Sequence, residues 1–413
     1  MILQHMVTIV RWPGAAALAA GVPLAALVAA APGIAHAAPA KRTAVAKGAV
    51  WAAPLKVRDF DLRRGADRSA PLRALAGRLR RTGVGALLGA SGSSRLGRGC
   101  GKAAAVPSGA QVYCFDRADT ATRAWIPQGV TSVSDAVAGE RWSGGDRPLV
   151  VSWHENGKVR ITFVDPARRR YRHVLLVEPV MKGRHVTYRD IKVHAGGIAW
   201  YGDRLYVADT WRGLREFDMR QIYDLARSKA GSTGHAGRVG LHRGKYYAHG
   251  YRFVMPQTGD RRFTRGRARA CKGSGPLRMS WVGVDRTRSP HVLIAGEYCR
   301  PDQARGRVVT WPMAALAGSG TARATWGAPL PGDRIQGGVR TRGHWWFTQG
   351  RGTERGRLLT TRPGRNGWGR VKYRTISHGP EDLSCFRGRH RIWTIAERPN
   401  KRALWSFHAS PCG

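Results

Sequence analysis

The sequence predicts an all-β fold built from a repeated four-strand unit, and three observations carry that expectation. From Val112 onward, short runs rich in Val, Ile, Trp, Tyr and Phe alternate with Gly, Pro, Asp and Arg, the pattern of strands joined by tight turns. The same succession of runs recurs five times, each copy with a Gly or a polar residue before its first strand. The last copy has only three runs, and Val112-Tyr113-Cys114-Phe115 at the other end of the domain is a candidate for its fourth.

Taken in chain order, the first element is an export signal. Arg11 precedes an Ala/Leu-rich run from about Ala15 to Ala31, and Ala35-His36-Ala37 matches a small-x-small cleavage site, so residues 1–37 are expected to be removed and the mature chain to start near Ala38. An uncleaved anchor is the alternative. No second long apolar run follows, which excludes a polytopic membrane protein and predicts no spanning segment after cleavage. Secretion is the expected localisation.

Residues 38–110 form a basic extension rich in Ala, Arg and Gly. Leu72, Leu75 and Leu79 fall on one side of a short helix expected between Pro71 and Arg81. The remainder, with Ser91-Gly92-Ser93-Ser94, reads as a flexible spacer, either a surface-binding arm or a passive linker.

The repeats occupy residues 111–413. Copy one opens at Gln128-Gly129-Val130 and continues with 149–153, 159–164 and 172–177. Copy two opens at His194 and continues with 205–208 and 214–217, a helical insert at 219–226, and a fourth strand at 251–255. Copy three runs 279–284, 291–295, 307–311 and 322–326, with Pro312–Leu316 echoing the helical insert. Copy four runs 335–339, 344–348, 357–361 and 370–375, and copy five 381–386, 391–396 and 403–407. Strands from both termini joined in one sheet remove the exposed edges of a ring, so the prediction is a β-propeller of five blades whose C-terminal blade is completed by an N-terminal strand. Six blades is the alternative, because the second-to-third spacing is long.

Six cysteines in an exported chain imply disulfides. Six allow 15 pairings; pairing in order, Cys100–Cys114, Cys271–Cys299 and Cys385–Cys412, closes the shortest loops. No cysteine spacing suits zinc.

The chain carries 70 Lys and Arg against 26 Asp and Glu, a formal charge of +44. With 12 lysines and 58 arginines, and with Ala and Gly also abundant, GC-rich coding accounts for part of the excess. The other part predicts attraction to anionic cell-envelope polymers. The bases are scattered through loops with no nucleic-acid recognition motif.

Propeller geometry places the candidate site. Residues that open each first strand ring the channel mouth, and residues that end each second strand form a wider ring on the same face. The inner ring holds Gln128, His194, Gln336 and Glu381 with Asp382, and His378 nearby; the outer ring holds Glu155, Asp209, Glu297, Gln349 and Glu397. Trp211, in a loop on that face, is the candidate platform for a sugar ring, whereas the strand tryptophans are expected to pack between blades. Gln128, His194, Trp211, Glu297, Gln336, His378 and Glu381 are the candidate ligand contacts, and His194 and Glu381 the candidate catalytic groups. No nucleophile motif, phosphate loop or HExxH occurs.

Two stretches carry a family resemblance. His194-Ala-Gly-Gly-Ile-Ala-Trp, Arg204-Leu-Tyr-Val-Ala-Asp-Thr and Gly213-Leu-Arg-Glu-Phe form one, and Gly379-Pro-Glu-Asp-Leu-Ser with Arg391-Ile-Trp-Thr-Ile-Ala-Glu the other. They resemble the blades of the secreted propellers of the NHL and SMP-30/gluconolactonase-like superfamily, over about residues 110–413; those enzymes usually have six blades. The resemblance implies a metal-dependent lactonase-like hydrolase, with Ca²⁺ held by Glu381, Gln128 and Gln336 and His194 as base. The reading that needs no motif is a non-catalytic secreted protein, expected to be a monomer, that binds a small molecule, carbohydrate or envelope component at its mouth. A five-bladed glycosidase is the third reading and needs two carboxylates about 5–9 Å apart.

Overall fold

A computed structural model of the protein describes residues 55–142, 145–269, 271–365 and 367–412. The expected signal peptide, its cleavage point and the alternative anchor lie outside them. Among the described residues strand makes up 45% and helix 12%, an all-β fold.

Five four-stranded antiparallel units follow one another. Unit 1 comprises Ile126–Ser132, Leu149–Glu155, Lys158–Asp165 and Arg170–Lys182. Unit 2 comprises Ile198–Tyr201, Arg204–Asp209, Gly213–Asp218 and Phe253–Phe263. Unit 3 comprises Trp281–Asp285, Val292–Gly296, Arg307–Pro312 and Trp326–Pro329. Unit 4 comprises Ile335–Thr341, His344–Gln349, Arg355–Thr361 and Lys372–His378. Unit 5 comprises Ser384–Phe386, Arg391–Ala396 and Ala403–His408, with the fourth place taken by Gln111–Tyr113, where Val112 lies opposite Trp405.

The first strands pack side by side. That of unit 2 touches those of units 1 and 3, that of unit 4 touches those of units 3 and 5, and that of unit 5 lies against unit 1. Two glycines explain how they come so close. A Cβ on Gly197 would lie 2.2 Å from the Val282 nitrogen, and one on Gly337 would lie 2.5 Å from the Asp382 Cα. The openings carry Gly because the next unit's backbone occupies the space a side chain would need. Between units the indoles of Trp153, Trp200, Trp281, Trp311, Trp345 and Trp405 are almost wholly buried, in line with their expected packing role.

Three features depart from the sequence reading. First, residues 55–110 are not a spacer over their described length. Leu62–Arg64 pairs with the end of Phe253–Phe263, Arg81–Thr82 with Ile222–Asp224, and Ser94–Arg95 with the start of Arg170–Lys182. Phe60, Leu62, Leu75, Leu79, Val84, Leu87, Leu88 and Leu96 are buried. The expected helix is Ser69–Ala76; Pro71 is tolerated in its first turn, and its Leu72 and Leu75 turn inward. Second, residues 219–226 form the short strand Ile222–Asp224 and a single 3-10 turn, Leu225–Arg227, capped by the Asp224 carboxylate. The rest of that insert holds a hairpin, Val239–His242 with Lys245–Ala248. Third, the segment expected as the fourth strand of copy two pairs in parallel with unit 1, Val254 opposite Leu175. The later residues, Gln257 to Arg262, pair with unit 2. One long strand therefore joins units 1 and 2 into a 13-stranded sheet.

The disulfides join the cysteines in order, with Cα separations of 5.8, 5.9 and 5.7 Å. No helix among the described residues is long and apolar enough to cross a membrane.

Candidate functional site

Side chains from all five units line one cavity of about 460 Å³. Unit 1 and its lead-in supply Ile126, Gln128 and His154. Unit 2 supplies His194, Thr210 and Trp211, and unit 3 supplies Arg278, Ser280 and Tyr298. Gln336 comes from unit 4 and Glu397 from unit 5. A second hollow of about 400 Å³ shares His154, His194, Thr210 and Trp211 and reaches Asn156, Lys192 and Asp209. Every contributor sits where a second strand turns into a third or where the chain enters a first strand, so one set of strand ends converges on the cavity.

The wall is polar. Gln128 donates its amide to Glu397 at 3.1 Å, and Gln336 donates to Glu381 at 2.7 Å. Trp211 is the exposed aromatic, with 41% of its surface accessible, and the Arg278 guanidinium stands 5.3 Å from its ring. The Cys271–Cys299 bridge anchors the strand end that carries Tyr298 and faces the Arg278 loop. The rings of His154 and His194 lie 4.1 Å apart. His194 opens onto the cavity, yet the protein crowded around it, the neighbouring His154 and the Arg278 charge hold its imidazole down to about 4. Burial also lowers His154, whose Nε2 is buried with no hydrogen-bond partner. Both imidazoles are neutral near pH 7 and can accept a hydrogen bond from a hydroxyl.

Behind the cavity lies a buried acidic layer. Glu381 is 1% exposed; burial, and then the charges of Glu397 and Asp382, push its carboxyl well above the usual range. Burial raises Asp382 likewise, although it accepts from the backbone of Leu383 and Ile198. Glu397 is raised by burial against the opposing pull of Arg398 and Gln128. The consequence for stability is signed. A folded-state pKa above the unfolded value of 4.5 means that the folded protein holds a proton the unfolded chain releases. The Glu381 contribution is therefore complete below about pH 4.5 and is lost as pH rises through the folded pKa. Glu381→Gln, which keeps an oxygen to accept from Gln336, is expected to melt progressively higher than the wild type as pH rises from 4 to 8. Paired melts across that range check this; a constant difference would remove Glu381 as the source.

Of the expected site residues, Gln128, His194, Trp211 and Gln336 meet in the cavity, and Glu397 joins them from the outer ring. Glu381 and Asp382 lie behind it. Glu297 is a correction: fully buried, it accepts two bonds from the Arg307 guanidinium at 2.7 and 2.9 Å and one each from the Arg278 and Arg307 backbones. Its acceptor positions are filled, so it holds the Arg278 backbone and offers nothing to a ligand. His378 is a second correction; its ring bonds the Thr353 carbonyl away from the cavity. Asp209 is held by Arg215, Gln349 by Asp333 and Glu155 by Lys158. Sequence reasoning missed His154, Thr210, Arg278, Ser280 and Tyr298. Strand alternation was the available signal for the first: His154 precedes Glu155 in one strand, so the two face opposite ways.

The donors do not fit Ca²⁺ as the resemblance implies. Both glutamines direct their amide nitrogens at carboxylates, one Glu381 oxygen is taken by Gln336, and no group of three acidic, His or Cys side chains among the described residues is placed to hold a metal. The glycosidase reading fares no better, because Glu397 is the one described carboxylate in the wall of the larger cavity. Comparisons with protein-family models and with curated proteins found no match.

Proposed function

We propose that the chain is a five-bladed β-propeller, its last blade completed by the N-terminal strand, that is exported and binds a small saccharide at its channel mouth without catalysis. One observation carries this reading: five units of separate sequence origin contribute walls to a single polar cavity. Cavities of this size suit small organic ligands. The cyclic packing of the first strands and the pairing of Gln111–Tyr113 with Ala403–His408 support the propeller, and so does the likeness to NHL and SMP-30/gluconolactonase-like blades. Three disulfides support export to an oxidising compartment.

The cavity chemistry favours a sugar. Trp211 offers a face for an apolar ring surface. Gln128 and Gln336 are amides, Thr210 and Ser280 hydroxyls, and His154 and His194 neutral acceptors, a mixture that matches hydroxyl groups, which both donate and accept. Titration with a panel of neutral and uronic oligosaccharides is expected to shift tryptophan emission for at least one member. Trp211→Ala is expected to weaken that binding roughly tenfold or more, as for a central aromatic anchor, with an unchanged far-UV spectrum. If no saccharide shifts the emission, or if the Trp211→Ala variant binds as well as the wild type, the saccharide reading fails.

A further inference from the structure

A separate cleft of about 890 Å³ lies between unit 1 and unit 5. It opens at the other end of the strands from the candidate site. In Leu149–Glu155, Leu149 lines this cleft and His154 lines the cavity; in unit 5, Arg391 lines the cleft, and Glu397, just past the end of the same strand, lines the cavity. The run from Leu149 to His154 separates the two by about 16 Å at a strand's rise per residue.

The cleft is basic in a specific way. Its two acids, Asp146 and Asp165, are both taken by Arg168, at 2.6 and 2.8 Å. Arg391 is used by Ser406. Arg141 and Arg147, from the connection between the first two strands of unit 1, and Arg389, from the equivalent turn of unit 5, have no carboxylate within ion-pair distance among the described residues. Tyr113, stacked on Trp393 with ring centroids 5.7 Å apart, adds apolar surface. Burial raises the Tyr113 hydroxyl above its usual range, against the opposing pull of the Gln111 hydrogen bond and of the Arg98, Arg169 and Arg389 charges. Elsewhere in the chain buried acids are matched to arginines, as Glu297 is to Arg307 and Glu216 to Arg261. Here three cations from two units converge on open space with none to match.

We propose that this cleft binds a flexible phosphodiester polyanion, Arg141 and Arg147 contacting it from unit 1 and Arg389 from unit 5. The guanidinium fork suits phosphate oxygens bidentately, cations on two sides of an open cleft call for more than one anionic group, and the Tyr113 surface faces the apolar part of the repeat. The +44 charge adds long-range attraction but does not choose the site.

The test compares the full chain with two double variants of equal charge loss. One is Arg147→Ala with Arg389→Ala; the other is Arg184→Ala with Arg243→Ala, exposed arginines outside the cleft. Binding of poly(glycerol phosphate), inorganic orthophosphate and duplex DNA is measured at low and physiological salt. The wild type is expected to bind poly(glycerol phosphate) in preference to the other two. The cleft variant is expected to bind it roughly tenfold or more weakly, the loss of one or two charge-assisted hydrogen bonds, with a shallower salt dependence. The control variant is expected to match the wild type. Equal weakening in both variants would reduce the effect to net charge and overturn the site. So would orthophosphate binding as tight as the polymer's, a preference for duplex DNA, or no binding at all.

Discussion

A chain beginning at residue 111 is expected to fail to fold cooperatively. The segment it lacks buries Phe60, Leu62, Leu75, Leu79, Val84, Leu87, Leu88 and Leu96 against the outer strands. Each such side chain contributes about 1.5–3 kcal/mol on burial, so their joint loss is comparable with the whole net stability of about 5–15 kcal/mol typical of a domain. The partners left behind suffer as well. Phe60 and Leu62 share a cluster with Leu214, Phe263 and Trp311, and Trp311 donates its indole N–H to the Phe60 carbonyl at 3.0 Å. Truncation would expose that cluster, orphan the indole and break Cys100–Cys114. Thermal melts followed by far-UV dichroism, with dye binding to exposed apolar surface, check this. A chain beginning at residue 55 keeps every one of these contacts and is the comparison. A sharp transition for residues 111–413 within a few degrees of that comparison would show the segment to be dispensable.

Glu297→Ala is expected to destabilise the protein by about 3–5 kcal/mol, the cost of leaving one member of a buried ion pair alone. Arg307 is 3% exposed, lies over the Phe60 ring and keeps only the carbonyls of Gly275 and Pro276 once the carboxylate is gone. Two backbone N–H groups, of Arg278 and Arg307, lose their acceptor in the same step. Replacing both partners, Glu297→Leu with Arg307→Met, is expected to recover a large part of the loss, because no unpaired charge then remains. Denaturant unfolding of the three variants measures it. A Glu297→Ala protein that keeps its stability but loses saccharide binding would return Glu297 to the site and reverse the structural role given to it above.

The same residue shows where sequence reasoning went astray. Acids recur at the ends of second strands, and that recurrence suggests an acidic mouth. In the folded protein Asp209, Glu297 and Glu155 are each held by a nearby base, Arg215, Arg307 or Lys158. With 70 bases to 26 acids, an acid placed almost anywhere meets a cation, so repetition of acids marks strand-end ion pairs more than a binding ring. Glu397 is paired as well, with Arg398, but it also lines the larger cavity, where Gln128 donates to it. In residues 55–110 the apolar side chains are too widely spaced to show a strand period. They are buried because outer strands, distant in sequence, offer them a surface.

From the sequence alone the all-β class, most strands of the five units and the strand that joins unit 5 from the N-terminal side could be read, whereas the in-order disulfides were one of fifteen pairings the sequence left open. The class and the strands depend on a two-residue alternation and turn residues, both local to the chain. Which polar groups share a cavity was decided only by the tertiary structure. His154 and His194 face each other, and Glu381 lies behind Gln336, because first strands meet through glycines that have no side chain to keep them apart. That approach brings together residues far apart in sequence and sets their burial. Burial in turn governs the charge each group carries, which no local pattern encodes.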